Sequence, residues 1–106
     1  MKNAELTIQS NIVKLLRLKN IMVFSVPNGA NFLNVKTRML MMSSGLLSGV
    51  SDLIVLLPNK ALFLEVKTKT GRQQDTQKVF QKNVEALGFE YHLVRSLDDV
   101  CKLFGI

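Results

Sequence analysis

Two apolar runs that flank the turn signal Pro58-Asn59 constrain this chain more than any other feature of its sequence. The first run, Leu53 to Leu57, is wholly apolar, as expected of a central strand that is covered on both faces. The second run, Ala61 to Lys67, is also strand-like, but it contains the charged residues Glu65 and Lys67. So short a break between such runs, residues 58–60, predicts an antiparallel hairpin. The start of the first strand and the end of the second then share one end of a sheet.

The hairpin predicts a close pair of carboxylates at that end. If Leu57 pairs with Lys60, Asp52 lies directly opposite Glu65, and opposed residues have Cβ atoms about 4.5–5.5 Å apart. Proline is unusual in so short a loop, so a register shifted by one residue is the alternative. That shift would move one carboxylate to the other face, and only a bulge or a strand end would restore the pair. Because neighbouring carboxylates repel, the pair requires a proton or a cation between them.

Two predicted helices direct polar side chains toward the same end of the sheet. In the helix over residues 5–19 the apolar stripe ends at Glu5, and in the helix from Asp75 to Leu87 it ends at Gln77. Each inward face therefore ends in a polar residue at the helix N-terminus, where it can face the rim of the sheet. The alternative is local, since the helix dipole favours an acid in a first turn and Gln77 is then a boundary residue.

The remaining patterns complete an α/β fold with a mixed β-sheet flanked by α-helices. Strands are predicted at Ile21 to Val26, before the turn signal Pro27-Asn28-Gly29, and at Tyr91 to Val94, with short helices at Lys36 to Ser43 and Ser96 to Phe104. The core order is helix, strand, strand, strand, helix, strand, helix (αβββαβα). The 106 residues, of which 47% are apolar, predict one domain over residues 1–106.

The acids Asp52, Glu65 and Glu5 together form an oxygen-rich group with Lys67 beside it. Hard oxygen ligands select Mg²⁺ or Mn²⁺ over zinc. Such a cation holds a phosphate oxygen and a water together and lowers the pKa of that water. Lys67 would orient the water or neutralise charge that develops on the phosphate, which predicts phosphodiester hydrolysis. The competing interpretation is a surface ion pair between Glu65 and Lys67 on an edge strand.

The charge of the chain indicates an anionic partner. The net charge of +6 and the isoelectric point near 9.8 make nucleic acid the first candidate, with a merely soluble basic surface as the alternative. Tyr91 and the six phenylalanines lie within apolar runs and are predicted to be core, not a base-stacking platform. No segment approaches the roughly 20 apolar residues that span a bilayer, and one cysteine excludes an internal disulfide. We therefore expect a cytoplasmic protein with no membrane partner.

Four cations frame the proposed site and are candidates for DNA phosphate contacts that carry no sequence information: Lys36, Arg38, Lys69 and Arg72. For the first two, a solvated loop is the alternative.

The ordered motifs resemble a known class of nucleases. Gly49-Val50-Ser51-Asp52 followed by Glu65-Val66-Lys67 resembles the D…(D/E)-x-K signature of the restriction-endonuclease-like nucleases. More closely, the chain resembles a virus-type replication-repair nuclease (VRR-NUC) domain from Glu5 to Val100. The residues that carry this likeness are Ser48 to Leu53, Glu65 to Thr68, Gly71, Gln77 and Val94 to Val100.

The resemblance implies a metal-dependent DNA nuclease with a restriction-endonuclease-like core. It implies that Asp52 and Glu65 bind the metal with help from the Val66 carbonyl, and that Lys67 is the catalytic lysine. It also implies that a glutamine, here Gln77, assists the site. An N-terminal helical acid, matched by Glu5, completes the metal shell.

The resemblance also implies substrates and partners. Stand-alone VRR-NUC domains resemble phage or bacterial proteins and dimeric Holliday-junction resolvases, so we expect a homodimer that cuts four-way junctions in a bacterial cell or phage-infected host. The alternatives are a nuclease of the same chemistry on flaps, single strands or ends, and a DNA-binding module without turnover. The apolar run Met39 to Met42 is a candidate dimer interface, with packing inside the monomer as the alternative.

Overall fold

A computed structural model describes residues 2–26 and 34–106 of the chain. Its elements are α1 (Lys2–Leu18), β1 (Met22–Ser25), α2 (Val35–Ser43), β2 (Leu53–Leu57), β3 (Lys60–Val66), α3 (Asp75–Ala86), β4 (Glu90–Val94) and α4 (Leu97–Phe104). The predicted αβββαβα order is confirmed, with the short predicted helix α2 between β1 and β2. The turn predicted at Pro27-Asn28-Gly29 lies outside the described residues. None of the described helices has the length and apolar character needed to cross a membrane.

The four strands form one mixed sheet in the order β1-β2-β3-β4. The β1–β2 and β2–β3 pairs are antiparallel, whereas β3 and β4 are parallel. Leu57 pairs with Lys60, so the predicted hairpin register is confirmed and the shifted register is wrong. The two-residue loop accommodates Pro58 because a type II turn favours proline at its second position and requires a positive φ at its third. Asn59 occupies that third position with a φ of 60°.

One face of the sheet is covered by α1 and α4. The main core lies between these helices and the sheet, with Ile12 and Leu16 of α1 and Val100 of α4 packed against strand residues such as Val55 and Leu64. The predicted apolar stripe of α1 therefore faces the sheet as expected. This packing brings the N-terminal end of α1, where Glu5 lies, toward one end of the sheet.

The described residues cover the opposite face only in part. Helix α3 packs over the β3–β4 side, where Phe80 contacts Phe63 and Tyr91 edge-on. On the β1–β2 side, Met22 is 62% exposed and Leu56, its partner across the strands, is 40% exposed. The prediction that β2 is covered on both faces is therefore wrong for this half of the sheet, because α3 does not extend across it.

Helix α2 lies apart from this core. Asn34 caps it by accepting a hydrogen bond from the Thr37 amide at 2.9 Å. None of its residues is buried, and it packs against no other helix or strand that the structure describes. Met39 and Leu40 are 65% and 62% exposed. The alternative that this apolar run packs inside the monomer is therefore wrong for the described residues.

Candidate active site

The hairpin places two carboxylates at the same end of the sheet. Asp52 directly precedes β2, and its Oδ2 accepts a hydrogen bond from the Val66 amide at 2.7 Å. That bond ties Asp52 to the end of β3 beside Glu65, as the register requires. Glu65 is only 1% exposed. Burial, and next the negative charge of Asp52, raise the pKa of Glu65 to about 8.

Three side chains surround the buried Glu65 carboxylate. Gln77 Nε2 donates a hydrogen bond to Oε2 at 2.9 Å, and the Tyr91 hydroxyl donates one to Oε1 at 3.0 Å. The Lys67 ammonium nitrogen lies 3.9 Å from Oε2, and this lysine is itself buried. Each carboxylate oxygen has two lone pairs, so both oxygens of Glu65 keep acceptor capacity after these contacts.

The first turn of α3 determines how Gln77 is oriented. Its Oε1 accepts a hydrogen bond from the Gln74 amide at 2.8 Å in a capping box. With that oxygen occupied, the amide nitrogen is the end that faces Glu65. Gln77 therefore lies at the rim of the sheet, where its placement was predicted. Its position in the first turn of α3 also allows the capping box that turns its amide nitrogen toward Glu65.

A glycine lets the loop before Asp52 approach that first turn closely. Gly49 is buried and has a φ of +81°, and a Cβ atom there would overlap the Thr76 carbonyl group. Only glycine accepts both this conformation and this contact. The loop that delivers Asp52 and the helix that delivers Gln77 are therefore packed directly on each other.

Glu5 contributes through its charge. Partial burial, and next the charge of Asp52, raise the pKa of Glu5, while the Lys67 charge lowers it. Helix α1 thus brings this third acid within electrostatic reach of the pair. Within residues 2–26 and 34–106, however, no three His, Cys, Asp or Glu side chains lie close enough to form a metal cluster by themselves. The assignment of Glu5 as a ligand stays a prediction.

The donor set nevertheless fits a hard divalent ion. Asp52 and Glu65 lie close enough for the charge of one to raise the pKa of the other, and a bound cation would remove that repulsion. Two carboxylates and one backbone carbonyl suit Mg²⁺, which usually keeps several waters among its ligands. The Val66 carbonyl lies in the same peptide segment whose amide already binds Asp52.

The four predicted DNA-binding cations are exposed and lie in two places. Lys36 and Arg38 are on α2, whereas Lys69 and Arg72 are in the segment between β3 and α3. Their part in DNA binding stays a prediction.

Strand β4 and the residue after it support the site in a way that the sequence patterns do not predict. Tyr91 was expected only in the core, and its ring is there, but its hydroxyl reaches Glu65. Arg95 Nη1 donates hydrogen bonds to the carbonyls of Thr68 and Gly71, both at 2.7 Å, and so holds the segment that follows β3. The only signal was the place of Arg95 in the closing motif, because the register of β4 on β3 was not derivable from sequence.

The mixed sheet, the helices on its two faces and the acidic pair at one end define a nuclease-type domain of restriction-endonuclease-like architecture. The family model described as the VRR-NUC domain matches residues 5–98. The chain therefore belongs to the VRR-NUC family, and the resemblance inferred from its motifs is confirmed. Membership implies a nuclease-type domain that processes DNA.

A solved structure described as a VRR_NUC domain has the same fold. It superposes with a TM-score of 0.70 at 20% sequence identity, over 96% of this chain and 95% of that chain. The fold class predicted from sequence is thereby confirmed. No curated protein matches the sequence.

Proposed function

We propose that this chain is a Mg²⁺- or Mn²⁺-dependent endonuclease that hydrolyses phosphodiester bonds in branched DNA, with four-way junctions as the preferred substrate. The observation that carries the proposal is the buried Glu65 carboxylate, held against Asp52 and 3.9 Å from the Lys67 ammonium. Two neighbouring acids are costly in a buried site unless a proton or a divalent ion offsets their repulsion, and only the ion allows both carboxylates to stay ionised. Perturbed carboxylates of this kind are typical of functional sites.

Each residue of the site has a distinct part in the proposed reaction. Asp52, Glu65 and the Val66 carbonyl would hold the metal, and Gln77 keeps the Glu65 carboxylate in place. When bound, a divalent ion would supply a water of lowered pKa and positive charge beside the phosphate. The ammonium of Lys67 faces the same space and stabilises negative charge as it develops on the phosphate.

The charge of the protein supports DNA as the substrate. The chain has a net charge of +6, and the exposed cations Lys69 and Arg72 lie in the segment that leaves the site. Such cations bind phosphates next to the scissile one without reading bases. Binding should weaken with salt, with a slope of about 0.9 for each duplex phosphate that is neutralised.

Uncovered apolar surface supports a homodimer. Val35, Met39 and Met42 lie at helical spacing on the exposed side of α2, and Met22 and Leu56 lie on the uncovered half of the sheet. Contiguous exposed apolar residues of this kind mark interaction surfaces. A symmetric pair of copies would present two sites, one for each of two opposed strands of a junction.

A labelled panel of DNA structures tests the activity. Four-way junctions, flaps, duplexes and single strands are incubated with Mg²⁺, Mn²⁺ or EDTA, and we expect metal-dependent cutting that is fastest on the junction. Glu65→Ala and Lys67→Ala should abolish cutting while the protein stays folded. Glu90→Ala is the matched control, because Glu90 pairs with Lys60 at the other end of the β3–β4 pair.

The outcomes separate the alternatives. Undiminished cutting by both site variants would contradict the assignment of the site. Faster cutting of flaps, single strands or ends would favour the nuclease with another substrate. Equal DNA binding in EDTA and Mg²⁺ with no cutting would favour a binding module. We also expect Gln77→Ala to lower turnover more than DNA affinity, because Gln77 touches Glu65 and not the exposed cations.

A further inference from the structure

Tyr91 combines a buried aromatic ring with a hydroxyl directed at the proposed metal ligand. Its ring packs edge-on against Phe80, with 6.2 Å between the ring centroids. Its hydroxyl donates to Glu65 Oε1 at 3.0 Å. In the parallel pairing of β3 and β4, Tyr91 lies opposite Phe63, which places it two residues from Glu65 along the same face.

Two glutamines, Gln73 and Gln81, determine where the hydroxyl proton of Tyr91 points. Gln73 Nε2 donates to the Tyr91 hydroxyl oxygen at 3.1 Å and to Gln81 Oε1 at 2.9 Å. Gln81 Nε2 in turn lies 3.3 Å from Glu85 Oε2, to which it donates. Because the Tyr91 oxygen already accepts from Gln73, its single proton is free to be donated to Glu65. Each group in this network therefore has a compatible partner: Gln73 donates to the Tyr91 oxygen, and Tyr91 donates to Glu65.

We infer that Tyr91, oriented by Gln73, is a positioning residue that fixes the Glu65 carboxylate for metal binding. Gln77 holds one carboxylate oxygen and Tyr91 holds the other, so rotation about the last side-chain bond of Glu65 would break a hydrogen bond. Partners of this kind set the orientation of a ligating group, and their loss typically costs about 10–100-fold in metal affinity or activity. The inference rests on the proposed metal-dependent function.

The competing interpretation is that Tyr91 serves only as a core aromatic residue. Tyr91→Phe distinguishes the two roles, because it keeps the ring contacts with Phe80 and removes only the hydroxyl that contacts Glu65. Gln73→Ala provides an independent variant, since it leaves the aromatic cluster intact and removes the group that orients the hydroxyl. His92→Ala is the matched control, because His92 is the next residue of β4 and its side chain contacts Glu90 on the other face.

The decisive measurement is calorimetric titration of the full chain with Mn²⁺ in the absence of DNA. We expect Tyr91→Phe to raise the Kd at least about tenfold. Gln73→Ala should raise it by a smaller factor, and His92→Ala should leave it unchanged. Cutting by Tyr91→Phe should fall at low metal concentration and recover in part at high concentration, because the defect lies in metal affinity.

The outcomes distinguish this inference from the function on which it rests. If the unmodified protein binds Mn²⁺ and both Tyr91→Phe and Gln73→Ala bind it equally well, the inference is overturned and the proposed function stands. If the unmodified protein binds no divalent ion, both are overturned. If Tyr91→Phe does not fold, Gln73→Ala decides: unchanged affinity overturns the inference and weakened affinity supports it.

Discussion

Raising the pH in the absence of metal should destabilise this protein, and Glu65 is the reason. Burial, and next the charge of Asp52, raise the Glu65 pKa from 4.5 to about 8 in the folded state. Between these two values the folded protein keeps the proton, whereas the unfolded chain has released it. The free energy of unfolding therefore falls as the pH rises from about 4.5 to about 8, and it is flat outside this window for this group. Glu5 acts in the same direction, because its pKa is also raised.

The size of the effect follows from the width of the window. Each pH unit is worth about 1.4 kcal/mol, so the shift from 4.5 to about 8 corresponds to at most about 5 kcal/mol. Small domains have a total stability of only about 5–15 kcal/mol. Even a loss of about 2 kcal/mol should lower the Tm by roughly 10 °C in a domain of this size. A divalent ion that binds the ionised carboxylates should restore stability at pH 8, by about 2.7 kcal/mol at a hundred times its Kd.

Thermal unfolding followed by circular dichroism at pH 5, 6.5 and 8 measures this slope in EDTA and in Mg²⁺. Glu65→Gln is the informative variant, because its amide does not titrate. In the variant an amide nitrogen replaces one carboxylate oxygen, so one of the two donors, Gln77 or Tyr91, loses its acceptor and the absolute stability can differ by about 1 kcal/mol. The slope against pH is therefore the quantity to compare. Equal Tm values at pH 5 and pH 8 in EDTA, or the same slope in both proteins, would refute the argument.

Three further perturbations test the packing around the site and the proposed homodimer. Gly49→Ala should lower the free energy of unfolding in urea by about 3 kcal/mol or more. Gly88→Ala should lower it by only about 1–2 kcal/mol, because Gly88 has a similar positive φ of 89° but open space around it. Equal losses would exclude the close approach of Gly49 to Thr76. Arg95→Met should speed amide hydrogen exchange in the segment after β3, because about 1.5–3 kcal/mol of charge-assisted hydrogen bonding is lost. Unchanged protection there would count against this restraint. We expect Met39→Glu to convert the proposed homodimer to a monomer in light scattering, whereas the similarly exposed Leu87→Glu should not. A monomeric parent protein would contradict the proposed homodimer itself.

The sequence was informative wherever local patterns and short connections set the geometry. The loop between β2 and β3 is short, so the sequence placed Asp52 and Glu65 at the same end of the sheet. It left two registers open, and the observed pairing of Leu57 with Lys60 decides between them. Helical spacing likewise placed Gln77 on the inward face of α3, because the apolar stripe on that helix defines which side is buried. These predictions depend on neighbours within a few residues.

The interactions missed by sequence reasoning depend on contacts between distant segments. Tyr91 reaches Glu65 because β4 pairs in parallel with β3, across a connection that includes all of α3. Nothing in residues 67–90 specifies that register locally, so the tyrosine could be assigned only to the core. The sequence left the exposure of α2 undecided for a similar reason, since an apolar run alone does not reveal whether the rest of the chain covers it.

The amino-acid sequence by itself determined the order of strands and helices, the acidic pair and the family. The periodicity of apolar residues, the residues of the turns and the spacing of the motifs are all local properties. Only the tertiary structure decided the protonation of Glu65, the partners that hold it and the half of the sheet that stays open. Burial, repulsion between acids and hydrogen-bond geometry depend on which atoms from distant parts of the chain come within a few ångströms of each other. The physical cost that makes this site suited to a cation therefore arises only when the chain is folded.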